Sequence, residues 1–186
     1  RVSFDLIYAR EGQTAPAWGQ ELALALDHAA DHLSLYQLTI EEGTPFAARH
    51  EAGTLHIPNG AQACALYLLT QELCEAAGLP AYEISNHARP GAEGRHNLTY
   101  WRSGDYLGLG PGAHGRLTLG GARWATETAA RPEEWLATVE GGAGGTAKRE
   151  IVSIEDRATE MLLMGMRLRE GIDLGRYRAL AATDLD

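Results

Sequence analysis

The sequence predicts an α/β fold, and three observations predict it. Apolar strand-like runs at Phe4–Tyr8 and Leu33–Ile40 are separated by a stretch in which Trp18, Leu22, Leu26 and Ala29 recur at helical spacing. A second long helical stretch, 61–77, leads to a third strand-like run, Tyr82–Ser85. Strand, helix and strand in that order make a right-handed βαβ unit with parallel strands the economical topology. A run of glycines at 141–145 then precedes a further helical pattern.

Each element has a local cause. Phe4-Asp5-Leu6-Ile7-Tyr8 reads as a strand carrying one carboxylate, which is costly in apolar surroundings unless it is paired, caps a strand end or faces a ligand. Gln13 or Thr14 opens the first helix, with Pro16 suited to its first turn. His28 and His32 are four apart, but without a third ligand nearby they read as a solvated face. Leu33–Ile40, LSLYQLTI, is apolar enough for burial on both faces, as in a parallel sheet. Thr44 caps and Pro45 starts a short helix that Gly53 ends. Asn59-Gly60 precedes the long helix, whose stripe is Leu66, Leu69, Leu73 and Ala77 and whose stop is Gly78. His87–Gly94 reads as a polar loop. Gly120-Gly121 between Arg116–Leu119 and Ala122–Ala125 signals a two-residue hairpin. Pro132–Val139 is a short helix, and Gly141–Gly145 reads as a linker. Beyond it Ser153 and Asp156 begin a helix with Ile154, Ala158, Met161, Leu162 and Leu168 on its buried face.

The composition narrows the function classes. The 186 residues are 45% hydrophobic and 22% charged, as in a soluble globular chain. A net charge of −9 argues against nucleic acid and anionic membranes as partners. No apolar run approaches the roughly 20 residues of a membrane helix, and the first residues do not resemble a signal peptide, so a cytoplasmic location is expected. Cys64 and Cys74 lie about 15 Å apart along one helix, too far for a disulfide. They are expected to be buried thiols in a reducing compartment, with no zinc or iron–sulfur site of their own. Both ends of the chain read as cut, in a strand at Arg1 and in a helical pattern at Asp186, so an internal piece of a longer protein is expected. Such a piece, with an apolar strand edge at Phe4, Leu6 and Ile7, is expected to be marginally stable by itself.

The stretch His96–Arg116, HNLTYWRSGDYLGLGPGAHGR, concentrates groups that suit a site. Gly108, Gly110 and Gly112 permit sharp turns or close backbone approach. Tyr100, Trp101 and Tyr106 offer flat faces with polar tips. His96 and His114 can bind metal or move protons. The reading is the mouth of a site for something flat, phosphate-like or nucleoside-like; the alternative is a rigid loop packed by aromatics. Gly108–Ala113 matches G-x-G-x-x-A, but that fingerprint must open a helix, and here Pro111 and a hairpin follow. His96 with Tyr100 and Trp101 has the chemistry to ligate and sandwich a porphyrin.

Several motifs carry a resemblance. DLIY with GQT (Asp5–Thr14), HLSLYQLTIEEGTPF (His32–Phe46), YEISN (Tyr82–Asn86), HNLTYW (His96–Trp101) and DYLGLGPGAH (Asp105–His114) together resemble the oxygen-independent coproporphyrinogen III oxidase-like family of radical S-adenosylmethionine proteins. Within it, HNLTYW points to the haem-chaperone branch. The resemblance implies an incomplete (β/α)6 barrel followed by a helical C-terminal domain. Residues 1–140 would then be the second half of the barrel, 141–145 a linker and 146–186 the start of the helical domain.

The resemblance also implies roles. Asp5 would bind S-adenosylmethionine, and Thr39 with the Ala113–His114 backbone would line the nucleoside. His96, Asn97, Tyr100 and Trp101 would bind haem, with His96 as iron ligand. Haem or porphyrin would be the small-molecule partner and a haem-acceptor protein the macromolecular one; the oligomeric state is left open. The cluster-binding cysteines of the family, which hold a 4Fe-4S group, are expected upstream of Arg1. The chain departs from the family at Ala9 and Glu11, where Gly and Pro are usual, and at His87, where an aromatic is common. Haem binding and delivery is the preferred function. Oxidative decarboxylation of coproporphyrinogen III and a non-catalytic haem- or nucleoside-binding module are the alternatives.

Overall fold

The computed structural model describes residues 2–29 and 31–182. The helical pattern expected up to Asp186 runs past the described residues. The chain divides into two compact units, Arg1–Gly94 and Arg95–Asp186.

In the first unit the order is β1 (Ser3–Tyr8), α1 (Ala15–His28), β2 (His32–Gln37), α2 (Pro45–Glu51), α3 (Gly60–Ala76), β3 (Ala81–Glu83) and β4 (Asn86–Ala88). The sheet order is β1-β2-β4-β3. β1 and β2 are parallel, as a βαβ unit requires, while β4 runs antiparallel to both β2 and β3. The sheet is therefore mixed rather than all-parallel. The expected polar loop at His87–Gly94 begins as a strand, because Ile84-Ser85 turns the chain back and Asn86, His87 and Ala88 are all buried.

Local sequence explains the helix starts. The Ala17 N–H reaches the Thr14 hydroxyl at 3.4 Å, with Pro16 in the first turn of α1. Asn59 and Gln62 cap α3 reciprocally, at 3.0 and 2.9 Å. The core joins Leu6, Tyr8, Leu33 and Leu35 of the sheet to Trp18 and Leu22 of α1 and to Leu66 and Cys74 of α3. Each fully buried leucine there contributes roughly 1.5–3 kcal/mol. Trp18 stacks on Tyr8 at 5.4 Å and its Nε1–H donates to the Thr70 hydroxyl at 2.8 Å, so its one polar atom is satisfied.

Two expectations for this unit are corrected, and Asp5 is placed. β2 ends at Gln37, and burial on both faces holds only for Leu33, Ser34 and Leu35, since Tyr36 is 44% exposed. Cys74 is buried but Cys64 is exposed, because positions 63, 66, 70 and 74 face the core and 64 does not. Asp5 is exposed on β1, an edge strand of this sheet, so the strand does not bury its carboxylate.

In the second unit the order is α4 (Arg95–Trp101), β5 (His114–Leu119), β6 (Ala122–Thr128), α5 (Pro132–Glu140), β7 (Thr146–Ile151), α6 (Ile154–Gly165) and α7 (Leu174–Ala181). β5, β6 and β7 form an antiparallel sheet in that order. Gly120 and Gly121 have φ of 58° and 82°, which a two-residue I′ hairpin demands at both positions. Gly141–Gly145 connects α5 to β7, and β7 pairs with β6. Ser153 caps α6 through the Asp156 N–H at 3.0 Å. Ala158, Met161 and Leu162 pack with Tyr177 and Leu180 of α7, whereas Ile154, expected on the same face, is 61% exposed in the first turn. Among the described residues no helix is long and apolar enough to cross a membrane.

Candidate functional site

Strand alternation gives the first unit's sheet two chemically different faces. Leu6, Tyr8, Leu33 and Leu35 point to the helices α1 and α3. Ser3, Asp5 and Ile7 of β1 and their register partners His32, Ser34 and Tyr36 of β2 share the other face. Asn86 pairs with Ser34, and Glu83 pairs with Asn86. The register thus lays a polar row, Asp5–Ser34–Asn86–Glu83, across all four strands. Beside it the His32 ring is hydrogen-bonded at both nitrogens, Nδ1 with the Ser3 hydroxyl at 2.8 Å and Nε2 with the Tyr82 hydroxyl at 3.0 Å. The Gly94 N–H donates to the same tyrosine oxygen at 3.2 Å.

Within the row, the Glu83 carboxylate accepts from the Ser85 N–H at 3.1 Å and from Asn86 Nδ2, closing the β3–β4 turn. Glu83 is 1% and Asn86 4% exposed. Asn86 Oδ1 has no hydrogen-bond partner among the described residues. Ser34 is buried and Asp5 exposed.

The C-terminal ends of β1 and β2 open into a cleft of about 610 Å³, lined by Ile7, Leu38, Phe46 and Leu55 with charged groups around them. Arg10 pairs with Glu21, and Arg49 pairs with Glu11 at 3.0 Å. The His56 N–H and the Arg49 guanidinium both bond Glu11 and hold its carboxyl below the usual range. The turn into this cleft passes through Ala9 at φ 59°, a conformation glycine adopts without strain. Thr39, just past β2, is exposed and donates to the Gln37 carbonyl at 3.4 Å.

The second unit holds the aromatic cluster, and its first part is helical rather than an irregular loop. His96 and Tyr100 lie one turn apart on α4, their rings edge to face at 6.1 Å. Tyr106 meets Tyr100 at 4.5 Å, also edge to face. Asn97 and Trp101 form a second i,i+4 pair, turned about 100° around the helix from the first. Trp101 lies under the Arg167 guanidinium at 4.3 Å and lines a cavity of about 180 Å³ with Arg102, Met161, Leu168, Ile172 and Arg176. His96 and Tyr100 thus share one side of α4, and Trp101 lies on another.

Downstream, Gly108 and Gly115 pack against each other's backbone, and Gly110 and Gly112 have positive φ. The Ala113 N–H donates to the Thr128 hydroxyl at 2.7 Å, and its carbonyl accepts from the Thr128 N–H at 2.9 Å. Both polar backbone groups of Ala113 are therefore engaged inside the unit. His114 is exposed opposite Glu127, with Nε2 3.6 Å from Oε1. Asp105 anchors the loop. Burial raises its carboxyl, but bonds from the Thr118 N–H and hydroxyl and from Arg123 outweigh that and lower it.

The donor sets can be matched to chemistry. An exposed carboxylate and an orphaned buried amide oxygen on one sheet face suit a cationic, hydroxyl-bearing ligand such as S-adenosylmethionine. An exposed imidazole beside two tyrosine rings suits a flat, axially ligated ring such as haem. A 4Fe-4S cluster does not fit: the chain has two cysteines, and no group of three or more His, Cys, Asp or Glu among the described residues is placed to hold a metal ion. Glu83 and Asn86 were missed as site residues, although both lie inside a motif that carries the resemblance. They needed the β3–β4 register, which a three-residue strand does not announce.

No family model matches the chain. It is 41% identical over 176 residues to "Radical S-adenosyl methionine domain-containing protein 1, mitochondrial" of Mus musculus, covering 92% of this chain and 40% of that protein. It is 36% identical over 178 residues to "Heme chaperone HemW" of Mycobacterium tuberculosis, covering 96% and 45%. A solved structure titled "Coproporphyrinogen III oxidase (HemN) from Escherichia coli is a Radical SAM enzyme" superposes with a TM-score of 0.72 at 16% identity, over 97% of this chain and 43% of that one; this likeness speaks for the fold. The chain spans less than half the length of these proteins. Over that span it is homologous to the proteins named heme chaperone HemW and radical S-adenosyl methionine domain-containing protein 1.

Proposed function

We propose that the whole protein binds haem and delivers it to an acceptor protein, as a radical S-adenosylmethionine protein of the haem-chaperone kind. The observation that carries this reading is the placement of His96 on α4, exposed and one turn from Tyr100, with Tyr106 against Tyr100. His96 is the proposed iron ligand and Tyr100 the ring that flanks the porphyrin. Trp101 and Asn97 support α4 from its other side. In the same reading the first unit is part of an incomplete (β/α)6 barrel, and α6 and α7 begin a helical C-terminal domain.

Asp5 is the proposed contact for the polar part of S-adenosylmethionine, with Thr39 of the same unit beside the nucleoside. When bound, that cofactor supplies a cleavable sulfonium, and this chain's part is to hold and orient it. The 4Fe-4S ligands belong to a cysteine loop outside this chain, of the C-x3-C-x2-C kind. A cytoplasmic location is proposed, although some relatives carry "mitochondrial" in their names.

Incubating the reconstituted full-length protein with coproporphyrinogen III, S-adenosylmethionine and reductant, and separating the porphyrins, tests this reading. Unchanged coproporphyrinogen together with haem bound to the protein is the expected result. Stoichiometric conversion to the doubly decarboxylated product would replace the chaperone by an oxidase.

A further inference from the structure

The geometry points to Asn86 as a ligand-binding residue, whose Oδ1 accepts a hydrogen bond from a donor of S-adenosylmethionine on the face of the first unit's sheet opposite α1 and α3. This rests on the reading of the protein as an S-adenosylmethionine binder. Asn86 is 4% exposed, yet its Oδ1 has no partner among the described residues. Leaving a buried amide oxygen unpaired is costly, and such an atom calls for an explanation. The amide is not free to turn and find one, because Nδ2 is held by Glu83, itself fixed by the Ser85 N–H. That clamp fixes which end of the amide is left over.

Register then gives the direction. Asn86 pairs with Ser34, and Ser34 pairs with Asp5, so all three side chains share one face. Two strand spacings separate Asn86 from Asp5, about 10 Å. A ligand carrying both an ammonium group and ribose hydroxyls can offer donors to both acceptors at once. Neither acceptor suits an anion, which assigns the row to the cationic and hydroxyl parts of the ligand rather than to its carboxylate.

The test uses the full-length protein and isothermal calorimetry with S-adenosylmethionine. Asn86→Leu and the milder Asn86→Ser both withdraw the acceptor; thermal melts identify which of them is folded at the titration temperature. A folded variant is expected to bind about tenfold more weakly than wild type. A purely structural role at the β3–β4 turn would lower the melting temperature without singling out one ligand group. Repeating the titrations with 2′-deoxy, 3′-deoxy and desamino analogues makes that distinction. For the analogue lacking the contacted donor, wild type and variant should bind equally. An equal penalty for all three analogues, or unchanged affinity for S-adenosylmethionine, overturns the assignment of Asn86 while leaving the family reading intact. Absence of binding by wild type overturns both.

Discussion

Gly108 and Gly115 meet backbone to backbone. A Cβ on Gly115 would stand 2.9 Å from the Gly108 nitrogen and 2.5 Å from the Thr126 hydroxyl, and one on Gly108 would stand 2.5 Å from the His114 carbonyl oxygen. The glycine at 108 thus serves a close backbone approach inside the unit. Gly115→Ala should cost roughly 1–3 kcal/mol by forcing β5 away from the 106–108 segment. Urea unfolding of wild type and variant measures it, and equal midpoints would show that the segment gives way freely.

Ala9 sits at φ 59°, in the left-handed region that glycine enters without strain. A side chain there costs of the order of 1 kcal/mol. Ala9→Gly should therefore stabilise the protein by about that amount, unlike most glycine substitutions, which destabilise. A lower melting temperature for Ala9→Gly would mean that the Ala9 methyl group, buried in the core, contributes more than the strain costs.

His87 is 1% exposed, and neither ring nitrogen has a hydrogen-bond partner among the described residues. Burial pushes its pKa down to about 4, with His32 adding to the shift and Glu75 opposing it. The unfolded chain protonates near 6.5, so between that value and about 4 it binds more protons than the folded chain. Stability is full above 6.5 and falls as the pH drops through this window, by up to about 3 kcal/mol. His87→Phe keeps an aromatic ring and removes the proton. Its stability should decline less than that of wild type between pH 6.5 and 4; parallel pH profiles would rule out a neutral buried His87.

Much of the fold was legible because it is written in local signals. Thr14, Asn59 and Ser153 announce α1, α3 and α6 through side-chain caps, and Gly120-Gly121 announces the β5–β6 turn through its required φ values. What was missed depends on distant partners. Asn86-His87-Ala88 is short and polar, and it becomes a strand only because β2 lies beside it. Thr146–Ile151 follows a glycine run that looks like a linker and becomes a strand by pairing with β6. In the candidate site, the residue types of HNLTYW were informative, but its helical form was not. Only that form separates His96 and Tyr100 from Trp101. Asp5 stood out as a carboxylate in an apolar run, while its neighbours in the polar row could be read only from register.

With His96 as the proposed haem ligand and Tyr100 beside the ring, haem titration of the full-length protein, followed in the Soret band, separates wild type, His96→Ala and Tyr100→Ala. His96→Ala should shift the Soret maximum and weaken binding at least tenfold, about 1.4 kcal/mol or more. Tyr100→Ala should lose less and keep the wild-type spectrum. Wild-type affinity with an unchanged Soret band in His96→Ala would rule His96 out as the ligand.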